Sequence, residues 1–215
     1  MDLRFTPEEN AFRAEVRDFL RKEIPQEIRD KVSSGRKLSR EDIVTSQRIL
    51  NKKGWAVSHW PLEWGGQPWS PIQRYIFTEE LQQAAVPLPL QFNCYMVGPV
   101  IAAFGNEEQK KRFLPATANL DIWWCQGFSE PGAGSDLASL RSTARRDDER
   151  GGWVLNGQKT WCSRAAYAHW GFGLFRSDPD EAARAPMGDA LVADPSTVVR
   201  ALVPRVAASS RTPAG

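Results

Sequence analysis

The strongest constraint on the fold is a switch in hydrophobic period near residue 118. Upstream of it, apolar residues recur at helical spacing, as in Phe12, Val16, Phe19, Leu20 and Ile24. Downstream, over 121–176, the pattern becomes short alternating runs broken by Gly and Pro, which suits strands and turns. The expected fold class is therefore α+β: an all-α domain over 1–118, then an incomplete antiparallel β-domain over 119–176. The remainder, 177–215, holds no aromatic residue and repeats Ala, Pro and Arg, so a loosely ordered tail is expected there.

Helix starts are well marked. Thr6-Pro7-Glu8-Glu9 places an N-cap hydroxyl, a proline at the first helical position and a glutamate that closes a capping box. Ser39 with Asp42, and Ser70 with Gln73, repeat the device. Pro25 ends or restarts the first helix, and Pro115 is expected to end the last one. Phe92 to Phe104 suits a buried helix kinked at Pro99. Between Trp55 and Trp69, four tryptophans interleaved with Pro and Gly exclude a regular helix and predict a packed loop. Glu80 reads as part of a solvated helix face rather than as a catalytic acid, since no second carboxylate is placed to work with it.

Charge and composition exclude several classes. Lys+Arg 28 against Asp+Glu 26 leaves no excess for a nucleic-acid partner. No apolar run reaches the ~20 residues of a membrane span, and Met1-Asp-Leu-Arg-Phe5 has no apolar signal core. Cys94, Cys125 and Cys162 are odd in number and unclustered, which fits reduced thiols in a cytoplasmic protein and no metal site. Walker, dinucleotide and nucleophile-elbow motifs are all lacking.

The chemistry-bearing stretch is 121–163. Asp121 to Glu130 alternates like a half-buried strand and runs into the glycine loop Pro131-Gly-Ala-Gly-Ser135. Asn156-Gly157 is a hairpin signal of the type I′ kind. If two strands end at Ser129 and Ser163, they present Phe128, Ser129, Trp161 and Ser163 together, with Trp161 and Ser163 on one side of a strand. Such a set suits a planar ligand with polar edges: an indole to stack on, and hydroxyls and backbone N–H groups to hydrogen-bond. Each element also has an ordinary reading: Trp161 as core, Ser163 as a strand hydroxyl, the loop as a turn. The mixed run Arg145 to Arg150 reads as a solvated hairpin turn.

Glu130-Pro-Gly-Ala-Gly-Ser-Asp136, followed by Asn156-Gly-Gln-Lys-Thr-Trp161, resembles the flavin-binding signature of the acyl-CoA dehydrogenases. Phe104-Gly105, Glu108-Gln109-Lys110 and Phe113-Leu114-Pro115 extend the likeness, which covers about 3–176. The resemblance implies an FAD cofactor. It assigns Gln126, Phe128 and Ser129 to the flavin pyrimidine edge, Trp161 and Ser163 to the ring and its N5, and Ser135 to the acyl-CoA pantetheine. It implies α,β-dehydrogenation of an acyl-CoA thioester, electron-transferring flavoprotein as acceptor, and a homo- or hetero-oligomer. Trp60 to Gly66 and Cys125 to Ser129 are similar to members acting on dicarboxylic or steroid side-chain thioesters. The family's catalytic glutamate lies in a later helical bundle, so no catalytic residue is assigned here. A truncated product with little turnover alone is the expectation; a non-catalytic flavin-site subunit and an inactive fragment are the alternatives.

Overall fold

The computed structural model describes residues 4–149, 152–176 and 203–204. The chain divides into two compact units: Met1–Ala102 with Lys111–Asp121, and Ala103–Lys110 with Ile122–Gly215. The order of elements bears out a helical N-terminal part followed by a partial β-domain.

Helix α1 spans Pro7–Glu23, α2 Gln26–Ser33, α3 Arg40–Lys52 and α4 Pro71–Gln83. All three predicted capping boxes form: Thr6 with Glu9, Ser39 with Asp42, and Ser70 with Gln73. Each satisfies two otherwise orphaned backbone donors. Pro25 restarts the chain as α2. The tryptophan-rich stretch is a packed loop, as expected. Trp55 is 5% exposed and meets Phe19 and Phe77 edge-on, with centroids 4.8 and 5.7 Å away.

Glu80 corrects the sequence reading. Its side chain is 1% exposed, and it ties α1 to α4. Arg17 Nε and Nη2 donate to its two oxygens at 2.8 Å each, and Arg13 Nη1 donates at 2.9 Å. The Arg17 hydrogen bonds hold the Glu80 carboxyl below its ordinary range, against burial, with help from Arg13. The residue is a buried structural acid, since unpaired burial of a carboxylate would be prohibitive.

The expected helix at 92–104 is instead a π-helix over Phe92–Val97 followed by α5, Gly98–Phe104. Pro99 limits its hydrogen bonding. In the i→i+5 pattern the Cys94 carbonyl would look for the residue 99 N–H, which proline lacks. Trp60 Nε1 donates to that carbonyl at 2.7 Å, and His59 Nε2 approaches it at 2.8 Å. The indole needs the bare Gly98, where a Cβ would stand 2.0 Å from Trp60 Cζ2. Beside it, Gln47, 2% exposed, donates to Ala118 O at 2.9 Å and accepts from Leu90 N at 2.8 Å. Helix α6, Glu107–Ala118, runs through Pro115 rather than ending there. The expected stop at that proline is wrong; the last turn continues past it and closes with Asn119 N donating to Pro115 O at 3.0 Å.

In the second unit, β1 (Trp124–Gly127) pairs in parallel with β4 (Trp170–Gly173), and β5 (Val203–Pro204) pairs antiparallel with β4. Strands β2 (Thr143–Asp147) and β3 (Gly152–Asn156) form an antiparallel hairpin, so the charged run does sit at a hairpin turn. The sheet is thus mixed rather than antiparallel throughout. The expectation of a loosely ordered tail over 177–215 falls outside the described residues, apart from Val203–Pro204. Among the described residues no helix is long and apolar enough to cross a membrane.

Candidate functional site

Strand β1 is held rigidly from behind. Trp124, fully buried, lies 6.2 Å from the Trp170 ring, and Phe128 meets the buried Phe172 edge-on at 5.5 Å. Trp123 N donates to His169 Nδ1 at 2.9 Å, and His169 N returns a bond to Trp123 O at 2.8 Å. The Phe128 ring is therefore committed to packing, which leaves its peptide group as the part able to serve a ligand. Gln126 sits opposite Phe172 in the ladder and is half-buried.

Past Gly127 the chain turns through Glu130 and Ala133, which exchange backbone hydrogen bonds at 2.8 and 3.1 Å. The Glu130 side chain, 7% exposed, accepts from Arg141 N at 2.6 Å, Ser142 N at 2.9 Å and Lys159 Nζ at 2.8 Å. Burial pushes this carboxyl up, but the hydrogen bonds outweigh it and bring it down to about 2. Arg176 braces the far side of the loop, donating from Nε to Leu140 O at 2.6 Å and from Nη2 to Ala138 O. The glycine loop is thus pinned at its ends. Gly132 and Gly134 have open space where a Cβ would stand, and Ser135 is exposed beside them.

The second expected strand is not one. Asn156 ends β3, and Gly157, at φ +147, closes against Ser142, whose Oγ would lie 2.1 Å from a Cβ there. The hairpin partner of β3 is β2, so Asn156-Gly157 is an exit from the hairpin rather than its turn. Residues 158–163 are irregular. They still reach the end of β1: Thr160 N donates to Ser129 O at 2.9 Å, and Lys159 Nζ to Phe128 O at 3.1 Å. Trp161 then adopts φ +56, a left-handed conformation that is costly for a bulky residue. Ser163 N donates back to Trp161 O at 2.7 Å. Trp161 and Ser163 therefore flank a tight reversal and do not share one side of a strand, as the sequence reading had them.

The structure brings Ser129 and Trp161 together through the Thr160 bond, with Phe128 and Gln126 directly upstream. Ser163 follows on the reversal, and Ser135 stands on the separate glycine loop. The Trp161 indole is 88% exposed. Thr160 Oγ1 beside it is buried and has no hydrogen-bond partner among the described residues. An indole in water, an unanswered hydroxyl and two bare glycines fit a planar, polar-edged group such as FAD. Sequence reasoning missed Glu130 and Lys159 as site-builders; the acidic residue opening the glycine motif and the lysine three residues after Asn156 were the available signals. Among the described residues no group of three or more His, Cys, Asp or Glu could hold a metal ion.

The model for the acyl-CoA dehydrogenase N-terminal domain matches residues 6–121, and that for the middle domain matches 125–204. This chain belongs to the acyl-CoA dehydrogenase family. The second match continues past Arg176, where the sequence reading ends the resemblance. The chain is similar to acyl-CoA dehydrogenase FadE26 of Mycobacterium tuberculosis, with 37% identity over 186 residues, 84% of this chain and 45% of that protein. IpdE1 of the same organism is 36% identical over 199 residues, 89% of this chain and 51% of that protein. A chain of the ChsE4-ChsE5 complex from Mycobacterium tuberculosis superposes with a TM-score of 0.70 at 35% identity, covering 88% of this chain and 47% of that one. The chain spans about half the length of the curated relatives it matches. Members of this acyl-CoA dehydrogenase family depend on FAD, in keeping with the fit of the residues just described.

Proposed function

We propose that this acyl-CoA dehydrogenase chain supplies the β-side of an FAD site for α,β-dehydrogenation of an acyl-CoA thioester. The exposed Trp161 beside Ser129 carries the reading. A surface indole on a left-handed backbone costs stability twice, and a stacked ring accounts for both costs. When bound, FAD supplies the acceptor for the hydride that leaves the acyl β-carbon. The exposed Trp161 would cover one face of that ring and exclude water from it. Gln126, Phe128 and Ser129 would hold its pyrimidine edge, with the Ser129 hydroxyl and backbone N–H as donors. Ser163, after the reversal, would serve the N5 side of the ring, and Ser135, beside the open glycines, would serve the pantetheine arm. No residue of this chain is assigned as the base that removes the α proton.

A steroid side-chain thioester is the substrate class we favour, because a solved relative described as a steroid ACAD matches at TM-score 0.69 and 35% identity. Electron-transferring flavoprotein is the proposed acceptor. Assembly with a second, different chain is favoured by the likeness to the ChsE4-ChsE5 complex, and the helical domain is taken to end near Ala118. Titrating the purified chain with FAD, following quenching of flavin fluorescence, tests the reading. Saturable quenching is expected, and Trp161→Ala should weaken it; an unquenched wild-type titration would refute the assignment.

A further inference from the structure

The Glu130–Lys159 pair builds the loop, and it is also bonded to the Phe128 peptide group. Lys159 Nζ donates to the Phe128 carbonyl at 3.1 Å while its other partner, Glu130, sits at 2.8 Å. The lysine side chain is 11% exposed and its stem crosses Gly127, where a Cβ would stand 3.4 Å from Lys159 Cγ. The Phe128 carbonyl and the Ser129 N–H are the two ends of one peptide group. The Ser129 N–H has no acceptor among the described residues, whereas the Ser129 carbonyl is used by Thr160 N.

A cation on a peptide oxygen draws electron density toward that oxygen and leaves the N–H at the other end more positive, the cooperative strengthening of bonded chains. Here the cation is desolvated, so water screens the effect little. We infer that Lys159, held by Glu130, is a positioning residue that polarises the Phe128–Ser129 peptide, making the Ser129 N–H a stronger donor toward a reduced than toward an oxidised flavin edge. This rests on the flavin reading above. Negative charge collects at the pyrimidine edge on reduction, so a polarised donor there favours the reduced cofactor. An ion pair that served only to staple the loop would leave that balance alone.

The test compares wild type with Lys159→Met, Lys159→Arg and the neutral double variant Lys159→Met with Glu130→Gln, which leaves no unpaired buried charge. In the flavin-free chain, the Ser129 amide nitrogen and Phe128 carbonyl carbon resonances should shift in both Met variants and stay near wild type in the arginine variant. Amides of α1 and α4 should not move. With FAD bound, the Met variants should bind reduced flavin about tenfold less well relative to oxidised, a midpoint lower by ~30 mV for a two-electron couple. Arginine should restore most of it. Unchanged Ser129 and Phe128 resonances overturn the polarisation, whether or not flavin binds. Shifted resonances with an unchanged midpoint overturn the tuning alone. A wild-type chain that takes up no FAD overturns the flavin reading, and the resonances still decide what Lys159 does to the peptide.

Discussion

Trp161 offers a prediction in which stability and ligand affinity move in opposite directions. Its side chain is 88% exposed, so truncation forfeits little burial, within about 0.5 kcal/mol for a surface change of this kind. Its φ of +56 is a separate burden: left-handed backbone costs an L-residue about 1–2 kcal/mol that glycine escapes. Alanine at 161 keeps the burden and glycine removes it. Trp161→Gly should therefore exceed Trp161→Ala by about 1 kcal/mol, offset in part by the freer unfolded chain of glycine. For a chain of this size that amounts to roughly 2–4 °C in melting temperature. Both variants lose the stacking face. Base–aromatic stacking is worth about 1–3 kcal/mol, so FAD affinity should fall by roughly 5- to 150-fold in each. Differential scanning fluorimetry and flavin titration on the same three proteins read the two effects. Equal melting of the glycine and alanine variants would refute the strain, and wild-type affinity in either would refute the stacking.

Two further outcomes follow from the site and the core. Glu130 is held at about 2 in the folded chain against an ordinary 4.5, so its contribution to stability is complete above pH 4.5 and fades as pH falls toward 2. Urea midpoints measured over that window should drop for wild type more steeply than for Glu130→Gln, and parallel curves would contradict the assigned hydrogen bonds. Gly98→Ala places a methyl 2.0 Å from the Trp60 ring, and overpacking of this order costs about 1–3 kcal/mol. Guanidinium unfolding followed by tryptophan emission should show it; an unchanged midpoint would mean that the Trp60 ring has room to move aside.

What could be read in advance was what neighbours in sequence decide. The capping boxes at Thr6, Ser39 and Ser70 are local hydrogen bonds between residues three apart, and all three form. The hairpin turn at the charged run is local as well. The failures lie where a distant partner decides. Glu80 looks solvated until Arg17, 63 residues away, is placed on it. Nothing local in β1 announces a parallel partner beyond a hairpin. The Asn156-Gly157 signal was real as a need for glycine, but the need comes from Ser142 rather than from a two-residue turn. At the site, the residue pair around Ser129 and Trp161 was legible from the motif, while the side chains that fix it, Glu130 and Lys159, act through bonds spanning 29 and 31 residues.

Gln47 guards the first unit against mispacking. A leucine would fill much the same volume, yet the Leu90 N–H and the Ala118 carbonyl would both lose their answering group. A roll of α3 about its axis, which greasy side chains would tolerate, would strand both at once. The amide works as a key with a single seating: it admits one azimuth of α3 against the π-helix and α6 and penalises the rest.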